Sequence, residues 1–199
     1  MLKGEKIWLT LVKIIYIFVN YFLYIYICLN QRPMILEDTS SGEKFEAVIE
    51  PLTLNDFKIV KKDKTRFDSF NWNVYKNKEV YKLRLATDET ILGLMCLVDH
   101  PGEGIDAVEI ELLEVSADNR HRKKKLAHIA GCLITFACRE SFKRGYDGWA
   151  FLIPKTYLLD HYPAKYGFTH VPLITPGRPE GFMELSTGSS LRLIKRYLD

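Results

Sequence analysis

Residues Val115 to Leu133 read VSADNRHRKKKLAHIAGCL, and this stretch decides the fold. It leaves an alternating apolar stretch, Val108 to Val115, that has the period of a strand. It crosses a loop carrying Arg120, Arg122, Lys123, Lys124 and Lys125, and enters an apolar run from His128 to Arg144 with the spacing of a helix. A helix start presents unpaired backbone N–H groups with the helix dipole behind them, which favours an anion. Ala130 and Gly131 are small enough to let that backbone come close to its ligand, and the loop cations add charge beside it. The ligand this suits is a pyrophosphate with a further phosphate nearby.

The flanking sequence places this unit in an α+β domain with one mixed, mostly antiparallel sheet and helices on its faces. Upstream, Phe45 to Leu52 reads as a first strand, and Thr53 caps a helix from Leu54 to about Lys62. Asp63 to Asn77 is polar with scattered aromatics and reads as an irregular cover. Val80 to Ala86, Ile91 to Val98 and Val108 to Val115 read as three strands joined by turns at Thr87 to Thr90 and Pro101 to Gly104. Downstream, Gly145 ends the long helix and Gly148 to Ile153 is a buried strand. Thr156 to Tyr166 reads as a second helix, Phe168 to Leu173 and Phe182 to Leu185 as strands, and Leu191 to Leu198 fits either type.

This order, strand–basic loop–helix followed by strand–helix–Tyr-Gly-Phe–strand, resembles the GNAT superfamily of acetyl-CoA-dependent N-acetyltransferases. The resemblance covers roughly Phe45 to Leu185. The family loop is Gln/Arg-x-x-Gly-x-Gly/Ala with a Leu three positions beyond. Two registers fit it here. One runs Lys125-x-x-His128-Ile129-Ala130 with Leu133 downstream, and is preferred. The other runs Arg122-x-x-Lys125-Leu126-Ala127. Either way the first glycine is replaced. Tyr162 to Phe168, YPAKYGF, is similar to the family's Tyr-x-x-x-Gly-Phe with one extra residue.

The resemblance implies transfer of an acetyl group from acetyl-CoA to a primary amine on a small molecule, a protein or an aminoacyl-tRNA. Acetyl-CoA would be the co-substrate, bound by Leu113, Val115, Arg122, Lys125, His128, Ile129, Ala130 and Gly131. A lysine-like amine, with pKa near 10.4, needs a base at neutral pH. The family's Glu on the strand before the loop points to Glu111, with Glu109 and Glu114 as reserves. Glu111 is expected on the opposite pleat from Leu112. The family's thiolate-protonating Tyr points to Tyr162, with Tyr157 in reserve. The backbone near Leu113 to Val115 would polarise the thioester carbonyl. A non-catalytic GNAT-like module that binds CoA or a partner protein is the alternative, and the replaced glycine is the feature that favours it. A homodimer is compatible with either reading.

Composition narrows the alternatives. The 199 residues are 47% hydrophobic and 27% charged, the balance of a cored globular chain. The net charge of +3 sits outside the domain: removing Lys3, Lys6, Lys13, Arg32 and Glu5 from the 28 cations and 25 anions leaves 24 of each. A neutral domain with one basic loop does not suggest general nucleic-acid binding. Cys28, Cys96, Cys132 and Cys138 show no CxxC spacing, so they read as reduced, buried thiols with no metal role.

Ile7 to Leu29 is apolar enough and long enough to span a bilayer. Its positive N-terminal flank would send the following domain out of the cytoplasm, away from acyl-CoA. Residues 1–33 are therefore read as an early start codon ahead of a domain at 34–199, in preference to a membrane anchor. The domain is expected in the cytoplasm.

Overall fold

The alternating stretches on either side of the basic loop form one nine-stranded sheet. A computed structural model describes residues 12, 14–16, 19, 33–102, 106–121, 124–155 and 158–198. The chain divides into two units, Met1–Arg32 and Pro33–Asp199. The apolar stretch from Ile7 to Leu29 lies almost wholly outside the described residues. Among the described residues no helix is long and apolar enough to cross a membrane.

The second unit carries β1 (Met34–Asp38), β2 (Lys44–Pro51), α1 (Leu54–Lys62), β3 (Glu79–Leu85), β4 (Gly93–His100), β5 (Ala107–Val115), β6 (Leu126–Ala127), α2 (Ile129–Lys143), β7 (Ala150–Leu152), α3 (His161–Tyr166), β8 (Thr169–Val171), β9 (Phe182–Leu185) and α4 (Thr187–Leu198). The strand order is β6-β1-β2-β3-β4-β5-β7-β9-β8. Every neighbouring pair is antiparallel except β5 and β7. The α+β class and the mostly antiparallel mixed sheet are as expected.

One face is covered by α1 and the segment after it. Thr53 and Asp56 form a reciprocal capping box that starts α1 where the sequence puts it. Asp56 also lies 3.0 Å from Lys82 on β3, which ties the helix to the sheet. Phe57, Val60, Phe67 and Trp72 then pack on Val80, Leu94 and Cys96, with Leu112 at the margin. Here the aromatics between Phe67 and Tyr75 are core: Phe67 and Trp72 are buried, and Phe70 and Tyr75 pack against the same cluster. The cover is pinned by Glu114 on β5. Its buried carboxylate accepts from the Trp72 indole N–H at 2.6 Å and from the Ser69 amide at 2.9 Å.

The other face is covered by α2. A Cβ at Gly93 would meet Ile129 at 2.8 Å and Leu133 at 3.0 Å, so β4 and α2 approach as closely as a glycine permits. Phe136 packs on Tyr81 at 4.7 Å between ring centroids. The outer side of α2 is buried too, because α4 lies on it through Leu193, Ile194 and Tyr197. That settles the ambiguous C-terminal stretch as helix. Cys132 and Cys138 are buried in α2 and Cys96 in β4, and burial pushes each thiol up to about 12. Cys28 lies outside the described residues.

Three elements differ from expectation. Among the described residues the second helix, α3, begins at His161, while the expected start at Thr156, with Tyr157, lies outside the described residues. Pro163 explains the late start, since proline lacks an N–H and fits only the first turn of a helix. β1 and β6 were not anticipated. They pair with each other because Thr39 binds the Lys124 and Lys125 carbonyls, so the basic loop is stitched to the edge of the sheet.

Trp72→Phe should lower unfolding free energy by about 2 kcal/mol, because it leaves a buried carboxylate short of its strongest donor. Urea denaturation measures this. A loss under about 0.5 kcal/mol would show that the Trp72–Glu114 bond does not pin the cover.

Candidate functional site

Parallel neighbours β5 and β7 pair at Val108↔Ala150 and Glu109↔Phe151. Beyond that point β5 continues as Ile110–Val115 with no ladder to β7 among the described residues, so a wedge opens between the two strands. The register of β5 on β4 slips at the same place. Leu97 faces Ile110, Cys96 faces Leu112, and Glu111 is the extra residue of a β-bulge.

The bulge overturns the strict alternation assumed for Glu111. Its carboxylate lies 3.5 Å from the Cys96 thiol, on the α1 face, where Leu112 also packs. There it accepts two hydrogen bonds from Lys78 Nζ, at 2.6 and 2.8 Å, in a pair that both partners leave partly exposed. Glu109 accepts from His100 Nε2 at 2.8 Å. Glu114 is committed to Trp72 and Ser69, with Arg120 at 3.8 Å. Leu113 and Val115 pair with Met95 and Gly93 on the α2 face of the wedge.

The wedge opens towards the start of α2. His128 is the N-cap, with φ 76 in the left-handed region and no side chain capping the helix. The preferred loop register puts the family's first glycine at this residue, and a left-handed backbone is what glycine adopts at low cost. The first helical bond runs from the Cys132 amide to the His128 carbonyl at 2.8 Å. The N–H groups of Ile129, Ala130 and Gly131 precede that bond and have no partner within the helix. Ala130 is half-buried, and Ile129 faces the sheet.

Gly131 serves a purpose the sequence reading did not see. A Cβ there would fall inside the Tyr197 ring, so its small size lets α4 seat on α2. The Tyr197 ring also meets the His128 imidazole edge-on at 5.6 Å. Burial first, and then the charge of Lys124, holds His128 below its usual pKa, although Glu37 at 3.7 Å opposes the shift.

Three cations from separate elements converge here. Lys124 comes from the loop, Lys165 from α3 and Arg196 from α4. Burial, then Lys124, then Arg196 lower the Lys165 pKa. Arg196 also donates to the Lys165 carbonyl at 3.2 Å. A cavity of about 240 Å³ lies beside them, lined by Ile35, Glu37, Lys44, His128, Arg196 and Tyr197. Crowded positive charge is the electrostatic signature of a place that takes an anion. The sequence offered no signal for Lys165 or Arg196, which lie on other elements far along the chain.

The remaining expected residues divide. Lys125 is exposed just before β6. Arg122 and Lys123 lie outside the described residues. Arg120 does not join the cation cluster: it binds Asp68 at 2.6 Å and Ser69 at 2.8 Å, holding the α1-side cover. Tyr162 is half-buried in an aromatic group with Phe168 at 5.4 Å, His161 at 5.7 Å and Tyr166 at 6.3 Å. Among the described residues no group of three or more His, Cys, Asp or Glu could hold a metal ion.

Solved structures share this architecture. FdhC, described as a nucleotide-linked sugar GNAT, is 9% identical, with 84% of this chain and 98% of that chain covered and a TM-score of 0.54. A bacterial toxin is 12% identical, with 77% and 97% covered and a TM-score of 0.54. FeeM, an N-acyl amino acid synthase from uncultured soil microbes, is 12% identical, with 75% and 94% covered and a TM-score of 0.53. No protein-family model and no curated protein matches the sequence. At these identities the likeness is one of fold, and the fold of this chain is that of the GNAT acyl-CoA N-acyltransferases.

Proposed function

We propose that this chain is an N-acyltransferase that moves an acetyl group from acetyl-CoA to a primary amine. The observation that carries the reading is the wedge between β5 and β7, which leads onto the uncapped start of α2 among Lys124, Lys165 and Arg196. A long ligand with an anionic end and a reactive, uncharged end matches that shape and charge.

In this reading the amides of Ile129, Ala130 and Gly131 hold the pyrophosphate, and Lys124, Lys125, Lys165 and Arg196 neutralise its charge. Arg122 belongs to the same loop. The free edge of β5 at Leu113 to Val115 polarises the carbonyl through its N–H groups. Acetyl-CoA supplies the activated acyl group. Glu111 takes the proton from the amine, directly or through a water, and Tyr162 returns a proton to the departing sulfur. Lys78 aims the Glu111 carboxylate, and occupies both of its oxygens in the resting state.

The second reading is a GNAT-like module that binds CoA or a partner without turnover. Two observations favour it: Lys78 occupies Glu111, and a bulky His128 stands where the family has glycine. The two readings agree on binding and separate on turnover with a panel of amines.

Ala130→Glu puts bulk and negative charge where a phosphate would lie. Calorimetry should show acetyl-CoA affinity falling by at least about tenfold, and unchanged affinity would remove the phosphate from the start of α2.

Glu111→Gln should lower turnover at neutral pH by roughly 10- to 1000-fold with little change in CoA affinity. The deficit should shrink as pH rises towards the amine's own pKa, near 10.4 for a lysine-like acceptor, where the substrate arrives neutral. Tyr162→Phe should instead lower turnover evenly at all pH values below about 9, since a phenol near pKa 10 stays protonated there. Full activity of Glu111→Gln from about pH 6.5 to 9 would make Glu111 a partner of Lys78 and nothing more.

A further inference from the structure

At the closed end of the wedge, on the α1 face, lies a cavity of about 160 Å³ lined by His100, Ala107, Trp149, Ala150, Phe151, Arg178, Phe182 and Glu184. Glu109 and Phe151 form the last β5–β7 pair before the strands part, and Glu184 pairs with Phe151 in turn. The pocket therefore adjoins the point where β5 becomes a free edge, two residues before the Glu111 bulge.

Arg178 is the unusual member. A tight turn holds it, with reciprocal backbone hydrogen bonds between Thr175 and Arg178 at 3.2 and 2.9 Å. Its guanidinium carbon lies 5.5 Å from the centroid of the Phe151 ring and 5.6 Å from that of Phe182. Among the described residues no carboxylate lies within salt-bridge distance of it, whereas Arg66, Arg84, Arg120 and Arg144 each have one. A cation–π contact uses none of the guanidinium's N–H donors, and that fork of donors matches a carboxylate.

Two acidic groups stand near that fork. Glu184 lines the same cavity and has no ion-pair partner among the described residues. Glu109 reaches the pocket through His100, which it holds at 2.8 Å while the His100 ring packs on Phe151 at 5.2 Å. The cavity thus offers one preset carboxylate receptor, carboxylates for an ammonium, and two phenyl walls whose faces also favour a cation.

We propose that this cavity is the acceptor subsite and that it takes a small amine bearing a carboxylate, of the free amino-acid type. Arg178 receives the carboxylate, and Glu184 and the His100–Glu109 pair face the amino end. The volume suits a molecule of a few heavy atoms and not an extended polymer. As an acceptor site this rests on the acyl-transfer reading; as a binding site it does not, and the test separates the two.

Leucine and leucinamide differ in the charge of one group and serve as matched probes. At about pH 6.5 both α-amines are protonated, since a peptide-like α-amine titrates near 7.7–8.0 and the carboxylate of leucine raises its own further. Calorimetry should show leucine binding the full chain roughly 10- to 100-fold more tightly than leucinamide, the range of a charge-assisted pair. Arg178→Gln should collapse that ratio towards one, and Arg178→Lys should restore part of it; thermal unfolding of both variants checks that they are folded. Equal binding of the two probes by the wild type, or a ratio that survives Arg178→Gln, overturns the proposal. Acetyl transfer from acetyl-CoA to leucine is then assayed separately. If leucine binds through Arg178 but no amine is acetylated, the acyl-transfer reading fails while the carboxylate site stands. If amines are acetylated with no preference for leucine over leucinamide, the reading stands and the acceptor proposal fails.

Discussion

β5 and β7 run in the same direction and are hydrogen-bonded at two residue pairs, then part. Everything proposed for this chain depends on that parting. A sheet that stayed closed would bury the edge of β5 in ladder hydrogen bonds, leaving no slot through the layer. The bulge at Glu111 sits just beyond the last pair, turning the strand and bringing the Glu111 carboxylate to the α1 face beside Cys96. The split is held open by packing on both sides. The Glu114–Trp72 bond fixes the cover on one face, and the close approach of Gly93 to Ile129 and Leu133 fixes α2 on the other.

The charge distribution follows the same geometry. At the open end, Lys124, Lys165 and Arg196 gather at an uncapped helix start, where burial first and then the charges of Lys124 and Arg196 lower the Lys165 pKa. At the closed end, Arg178, Glu184 and the His100–Glu109 pair line an aromatic pocket. Between them stands the Lys78–Glu111 pair. A ligand with phosphates at one end and a polar acceptor arriving at the other would meet complementary charge at each end and the free edge of β5 between.

Local signals in the sequence reached far, and non-local ones did not. α1 has the expected limits because its capping box, Thr53 with Asp56, is complete within four residues. β9 has the expected limits for a similar reason: Phe182 to Leu185 alternates cleanly between a turn and a polar helix start. β6 is two residues long and exists because Thr39 grips carbonyls more than eighty positions away, so periodicity has nothing to register. The face of Glu111 was misjudged because alternation was assumed through a bulge that only pairing with β4 reveals. Gly131 reads in the sequence as a close approach to an anion, and the fold adds a second use for its small size, the seat of the Tyr197 ring of α4. Arg178, His100, Lys165 and Arg196 are ordinary surface residues in a linear reading, and only the topology gathers them.

The central claim is that CoA lies in the wedge with its phosphates on the start of α2. Amide NMR of the full chain titrated with acetyl-CoA tests it most directly. The account predicts saturable shifts of the Ile129, Ala130 and Gly131 amides together with those of Leu112 to Val115 on the free edge of β5. Saturable shifts confined to other elements, with these two groups unmoved, would contradict it.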